Sequence, residues 1–98
     1  MTITDITASI RRKVGEDCGL NATIKLTVDE VEHIHVDATQ KPNVVSNDDL
    51  PADCIIRVRR ENLLKIIEGS LNPAFAFMMG KIRVEGNMGL ALHITKFL

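Results

Sequence analysis

GSLNPAFAFMMGKIRVEGNMGL, residues 69–90, combines a dense run of start and stop signals with one unbroken apolar block. Asn72 can cap a helix, and Pro73 suits its first position, where the missing N–H costs nothing. Residues 74–79 are apolar on every side, which predicts a short helix buried on all flanks. Gly80 supplies the left-handed stop. Residues 81–85 then alternate as a strand, Gly86 turns, and Asn87 can cap a last helix.

The order of these residues is itself informative. Leu71-Asn72-Pro73 is followed by Ala76, Phe77, Gly80 and Lys81, then by Val84, Gly86, Asn87, Met88, Gly89, Leu90 and Ala91. That pattern resembles the sterol carrier protein 2 domain family. Ala52-Asp53-Cys54, opening an earlier strand, adds to the likeness. It is tight over about the last half of the chain and looser before.

Outward from this stretch, the bulk properties exclude several classes. Ninety-eight residues predict a single domain, residues 1–98, with one modest core. A net charge of −1 argues against a strong non-specific hold on nucleic acid or anionic membrane. Trp and Tyr are absent, so no aromatic platform exists for stacking bases. Cys18 and Cys54 have no metal-like spacing and read as free thiols in a reducing compartment. The start, MTITDITASI, lacks the basic and apolar runs of a signal peptide. No run approaches the roughly 18 apolar residues of a membrane span. The end, Lys96-Phe97-Leu98, departs from the Ser-Lys-Leu peroxisomal signal, so the cytoplasm is expected.

Residues 3–14 read as a helix. Thr2 and Asp5 have capping-box spacing, Ile3, Ile6, Ile10 and Val14 form one stripe, and Gly15 stops it. Its basic triplet, Arg11, Arg12 and Lys13, suits the helix C-terminus and reads as a solvated face rather than a headgroup contact. This helical part is shorter than the family's. Gly19 to Asn21 reads as a turn. Residues 22–29 and 32–39 alternate and are close enough to form an antiparallel hairpin. A short strand is expected around Val44-Val45, a polar loop over 46–51, and a further strand over 53–59. Ile24, Leu26, Val28, Ile34, Val36, Ala38, Cys54, Ile56 and Val58 share the greasy side. Thr23, Lys25, Thr27, His33, His35, Asp37, Ile55, Arg57 and Arg59 share the other, which should be wet. Helices over 3–14, 61–68, 73–79 and 88–97 are available to cover the greasy side. The fold class is therefore α+β: a sheet of about five strands, mostly antiparallel, with helices covering one face.

No constellation demands catalysis. His33, His35 and Asp37 share a strand face, but the adjoining positions offer Thr and Lys rather than further ligands, so no metal is expected. Neither cysteine sits in a nucleophile motif, and no G-x-S-x-G elbow is present. Asp48-Asp49 reads as a surface pair. Gly86-Asn87-Met88-Gly89 lacks the Lys-Ser/Thr of a phosphate loop and reads as a turn plus cap.

The resemblance implies the rest: a non-enzymatic domain without cofactor. Such a domain binds a sterol, fatty acyl chain, acyl-CoA or phospholipid in an apolar tunnel between sheet and helices. It also implies transient membrane contact and a protein partner in a lipid pathway. The alternative is an accessory interaction module of a lipid- or isoprenoid-modifying assembly. Facing and chemistry nominate Leu63, Ile67, Leu71, Phe75, Phe77, Met78, Met79, Leu90 and Ile94 as lining from the helices. Leu26, Ile56 and Val58 are nominated from the sheet. The methionines suit a lining that must re-pack. An empty void of roughly 300 Å³ would cost about 7 kcal/mol, at about 24 cal/mol per Å³. Without ligand such a domain should be collapsed, wet inside or unstable.

Overall fold

Alternation of apolar and polar residues puts every strand's aliphatic side chains on one face, and that face has to be covered. The computed structural model describes residues 2–15, 21–40 and 42–94. The elements are α1 (Ile3–Val14), β1 (Thr23–Val28), β2 (Glu32–Asp37), β3 (Val44–Ser46), β4 (Cys54–Val58), α2 (Arg60–Glu68), α3 (Pro73–Met78), β5 (Ile82–Gly86) and α4 (Met88–Ile94). Each expected element is present, with ends shifted by no more than two residues where they fall among the described residues. Expectations for Cys18, for the turn at Gly19 and for Thr95, Lys96, Phe97 and Leu98 lie outside the described residues.

The five strands lie in the order β3-β2-β1-β4-β5. Three neighbouring pairs are antiparallel, while the central pair, β1 with β4, is parallel, with Leu26 opposite Ile56. This is the expected α+β sheet, mixed at its centre. Ile24, Leu26, Val28, Ile34, Val36, Ile56 and Val58 are buried on the inner face. Ile6, Ile10 and Val14 from α1, Leu63 and Ile66 from α2, Ala76 from α3, and Ala91 and Ile94 from α4 complete one hydrophobic cluster with them.

Local chemistry sets the helix ends. Thr2 and Asp5 form the full capping box on α1. The hydrogen bonds to Thr2 hold the Asp5 carboxyl below its ordinary range. The N-cap of α2, Arg59, makes no side-chain cap bond. Asp29 Oδ1 accepts from the Arg60 N–H instead, at 2.9 Å. Asp29 and Glu30 have positive φ in the turn between β1 and β2, so a costly local conformation places that cap. Nothing in the local sequence of α2 announces a cap donated from a residue 31 positions away.

The outer face is drier than expected. Lys25, Thr27 and His35 are buried. The cause is topological. β3 lies at one edge and β4 lies beyond β1, so the connection between them must cross β2 and β1. It crosses on the outer side. Lys25 Nζ donates to Asp49 Oδ1 at 2.6 Å, and His35 Nε2 pairs with the Pro51 carbonyl at 3.0 Å. Asn47 Nδ2 donates to the His33 carbonyl at 2.9 Å and to Thr7 Oγ1 at 2.8 Å. The Lys25 hydrogen bond holds the Asp49 carboxyl below its ordinary range.

Gly86 closes the sheet at β5. Its φ is +94°, and a Cβ there would lie 2.3 Å from the Asp53 carbonyl oxygen. That carbonyl also accepts from the Asn87 N–H, while the Asp53 N–H donates to the Thr23 carbonyl. Gly86→Ala therefore adds a backbone clash to left-handed strain. It is expected to lower unfolding free energy by about 3 kcal/mol or more, read from the midpoint of a urea titration. Stability within 1 kcal/mol of the parent (roughly the left-handed penalty alone) would show that the clash is relieved at little cost.

Candidate functional site

The inner face is not packed flush everywhere. Between β4, β5 and the three later helices lies a slot of about 30 Å³. Its floor is Leu26, Ile56, Val58, Ile82 and Val84, the alternate residues of three adjacent strands. Leu63 and Ile66 approach from α2, Pro73 and Phe77 from α3, and Met88, Ala91 and Leu92 from α4. All twelve residues are apolar, so a water placed there would find no side-chain hydrogen-bond partner. The volume is about a tenth of the roughly 300 Å³ typical of small ligand sites. The slot is nearly closed.

Five nominated residues line it: Leu26, Ile56, Val58, Leu63 and Phe77. Four others sit in or against the core beside it. Leu71 and Ile94 are buried, and Ile67 and Leu90 pack partly buried against the cluster. The remaining three lie outside. Phe75 is 53% exposed, Met79 59% and Met78 81%. The expectation of a helix buried on all flanks is thus corrected, since among the apolar residues of α3 and its cap Met79 only Ala76 is fully buried. A six-residue helix held by Asn72 at one end, and by the Met79 and Gly80 N–H groups at the other, needs no partner on most of its faces.

Ile66, Ile82, Val84, Met88, Ala91 and Leu92 were not nominated. Their signal was available. Residues 82 and 84 alternate with Arg83 and Glu85, and residues 88, 91 and 92 have helical spacing. Phe77, Met88 and Leu92 both line the slot and are more than two-fifths exposed, so they mark its mouth. Asn87 caps α4 as expected, its Oδ1 accepting from Gly89 N–H at 2.9 Å and Leu90 N–H at 3.3 Å.

A second depression, broad and polar, runs past the ends of β4 and β5. It holds Arg57, Arg59, Arg60, Lys81 and Arg83 beside Asp29, Glu30 and Glu61. Arg57 spans Glu30 at 2.7 Å and Glu85 at 3.3 Å, and Arg60 pairs with Glu32. Some other polar groups are engaged locally. His33 Nδ1 faces Thr27 Oγ1, and Asp37 accepts from Thr39 and Gln40. Among the described residues no three His, Cys, Asp or Glu side chains gather as a metal site would need. Burial pushes the Cys54 thiol up, away from nucleophilic character. The chemistry available at the slot is apolar contact.

The model of the SCP-2 sterol transfer family matches residues 18–98. Sterol carrier protein 2 of Oryctolagus cuniculus is 43% identical over 54 residues, 55% of this chain and 10% of that protein. The chain therefore spans about a tenth of the length of that relative. The crystal structure of sterol carrier protein 2 like 2 from Aedes aegypti superposes with a TM-score of 0.73 at 22% identity, covering 97% of this chain and 94% of that one. The solution structure of the palmitated Aedes aegypti protein superposes with a TM-score of 0.67 at 20% identity, covering 98% and 93%.

Leu63 is 1% exposed and forms part of the slot wall. Leu63→Ala should enlarge the gap and cost about 2–5 kcal/mol of stability in chemical denaturation. A cost below 1 kcal/mol (well under that range) would mean that α2 collapses onto β4 and the slot walls are not rigid.

Proposed function

This chain belongs to the SCP-2 sterol transfer family, and from that premise we propose that it is a non-enzymatic carrier that takes an acyl chain or sterol body into the slot beneath α3 and α4. The observation that carries the reading is the slot's lining: twelve apolar residues, with no polar side chain, reaching the surface at Phe77, Met88 and Leu92. A palmitated neighbour of the same fold supports a single-chain lipid as the first ligand to test. Residues 1–98 act as one lipid-binding unit in this reading.

The driving force is elementary. Each buried methylene is worth about 0.8 kcal/mol, so a sixteen-carbon chain prefers a dry site to water by roughly 13 kcal/mol. Escape of such a chain from a bilayer into water is correspondingly slow. A carrier supplies another dry surface and lowers that barrier with no bond made or broken.

The slot must widen to admit a chain, and α3 is the element best able to move. It is one and a half turns long, its packing is mainly on β5, and Ala76 is its one fully buried side chain. Few buried contacts make local opening inexpensive. Leu26, Ile56, Val58, Leu63 and Phe77 would then touch the ligand first, with Ile67, Leu71, Leu90 and Ile94 behind them. Phe75, Met78 and Met79 would meet it at the rim as it enters. The setting proposed is the cytoplasm, in transient contact with a membrane. Among the described residues no helix is long and apolar enough to cross one.

The test is uptake of a fluorescent fatty acid by the purified chain, with native mass spectrometry of freshly prepared protein to identify any co-purified lipid. Two variants fill the slot: Ala91→Leu from within and Met88→Trp at the mouth. Both are expected to reduce uptake at least tenfold, Met88→Trp with circular dichroism unchanged. Met88 is partly exposed, so its replacement keeps the fold even if Ala91→Leu overpacks it. Full uptake by folded Met88→Trp, or no uptake by the parent, would overturn the reading.

A further inference from the structure

The two edges of the sheet are treated differently. At β3, Arg11 Nη2 from α1 donates to the Val45 carbonyl at 2.8 Å. At β5 no side chain does the same among the described residues. The Val58 carbonyl accepts from the Asp29 N–H, so residue 58 turns its backbone groups toward β1. Alternation then turns those of Ile55 and Arg57 toward β5, where they face Glu85 and Arg83. Ile82, Val84 and Gly86 consequently turn theirs away from the sheet. Ile82 is buried, but Val84 is partly exposed and Gly86 exposed. A short row of backbone N–H and C=O groups is thereby open for pairing.

Sheet edges are commonly guarded by like charge, which repels a second strand. On its outer side β5 carries charge of both signs instead, Arg83 and Glu85, with Lys81 one step before them. Arg83 stands directly opposite Arg57, a like-charge pair that is unfavourable by itself. It makes no ion pair among the described residues. Glu85 is engaged by Arg57 at 3.3 Å, yet its side chain stays 54% exposed. One cation lacks an acid, and one acid has room for a second cation.

A second copy of the chain meets both needs. Antiparallel pairing of β5 with β5 about a two-fold axis at Val84 sets Arg83 opposite the partner's Glu85, and Glu85 opposite the partner's Arg83. Like charges meet only diagonally, at longer range, where Lys81 also reaches the partner's Glu85. An extended peptide of one sign fits less well, because it would oppose either Arg83 or Glu85 with like charge. We propose that the protein forms a two-fold dimer through β5, joining the two sheets into one. Ile82 and Val84 also floor the slot. The partner's Val84 continues that floor across the axis, so the two slots open onto one apolar face. The inference stands on the strand edge and does not depend on the carrier reading.

The test is sedimentation equilibrium of the full chain across a concentration series, and a reversible monomer–dimer equilibrium is expected. Arg83→Glu and Glu85→Arg, each alone, should raise the dimer dissociation constant at least about tenfold, since each sets like charges opposite on both sides of the axis. Combining them should bring it back to within about threefold of the parent. The carboxylate placed at position 83 faces Arg57, so circular dichroism and the urea midpoint should hold for Arg83→Glu and for the combined variant. Val84→Pro removes an outward N–H, which an edge strand tolerates, and should leave a folded monomer. Arg12→Glu, on α1, should change dimerisation less than about twofold. A parent that stays monomeric overturns the proposal. So does a dimer unmoved by either charge reversal, which would place the interface elsewhere, or a folded combined variant that stays monomeric.

Discussion

Parallel pairing of β1 with β4 is the constraint from which most of this structure follows. An antiparallel neighbour can be reached by a tight turn, whereas a parallel one requires a crossover. With β2 and β3 already on the far side of β1, the chain must pass back over two strands to reach β4. It passes across the outer face, which buries Lys25 and His35 and requires Asp49 and the Pro51 carbonyl to satisfy them. The inner face is left to the helices. A face of Ile, Leu and Val across three adjacent strands is wider than α2 and α4 can cover, and the slot lies where their coverage ends.

The slot's near closure and the rim's exposure are two sides of one balance. A large dry void would cost much of a small domain's marginal stability. The inner side chains therefore come together, leaving about 30 Å³. Apolar surface is left outside instead, on Phe75, Met78 and Met79. Exposed thioethers and rings are tolerable on a surface in a way that an empty interior is not, since they forgo burial without opening a hole.

Most of the framework was legible in the chain. Thr2 with Asp5, Pro73 after Asn72, and Gly86 before Asn87 are signals whose mechanism is local, and each marks an element end in the structure. The greasy side of each strand was legible for the same reason, because side chains alternate whatever the strand pairs with. What stayed hidden depended on distant partners. Alternation cannot say that β4 pairs parallel to β1, so the dry outer face was missed. Nor could the sequence near Arg60 show that Asp29 would cap its helix. At the site, strand nominations such as Ile56 and Val58 line the slot because facing alone decides them. Those on α3 separated, with Phe77 at the slot and Phe75, Met78 and Met79 outside, because a short helix can sit on its strand by any of its flanks.

The misreading of α3 is instructive about what apolar periodicity measures. A helix with no polar face implies apolar surroundings, and in a soluble domain those are usually protein. Here the folded chain supplies them on one flank only, through Ala76 and Phe77. The residue pattern therefore records a demand for dry contact without recording who meets it. The same six residues would satisfy that demand against a core, an acyl chain entering at Phe77, or the upper layer of a bilayer.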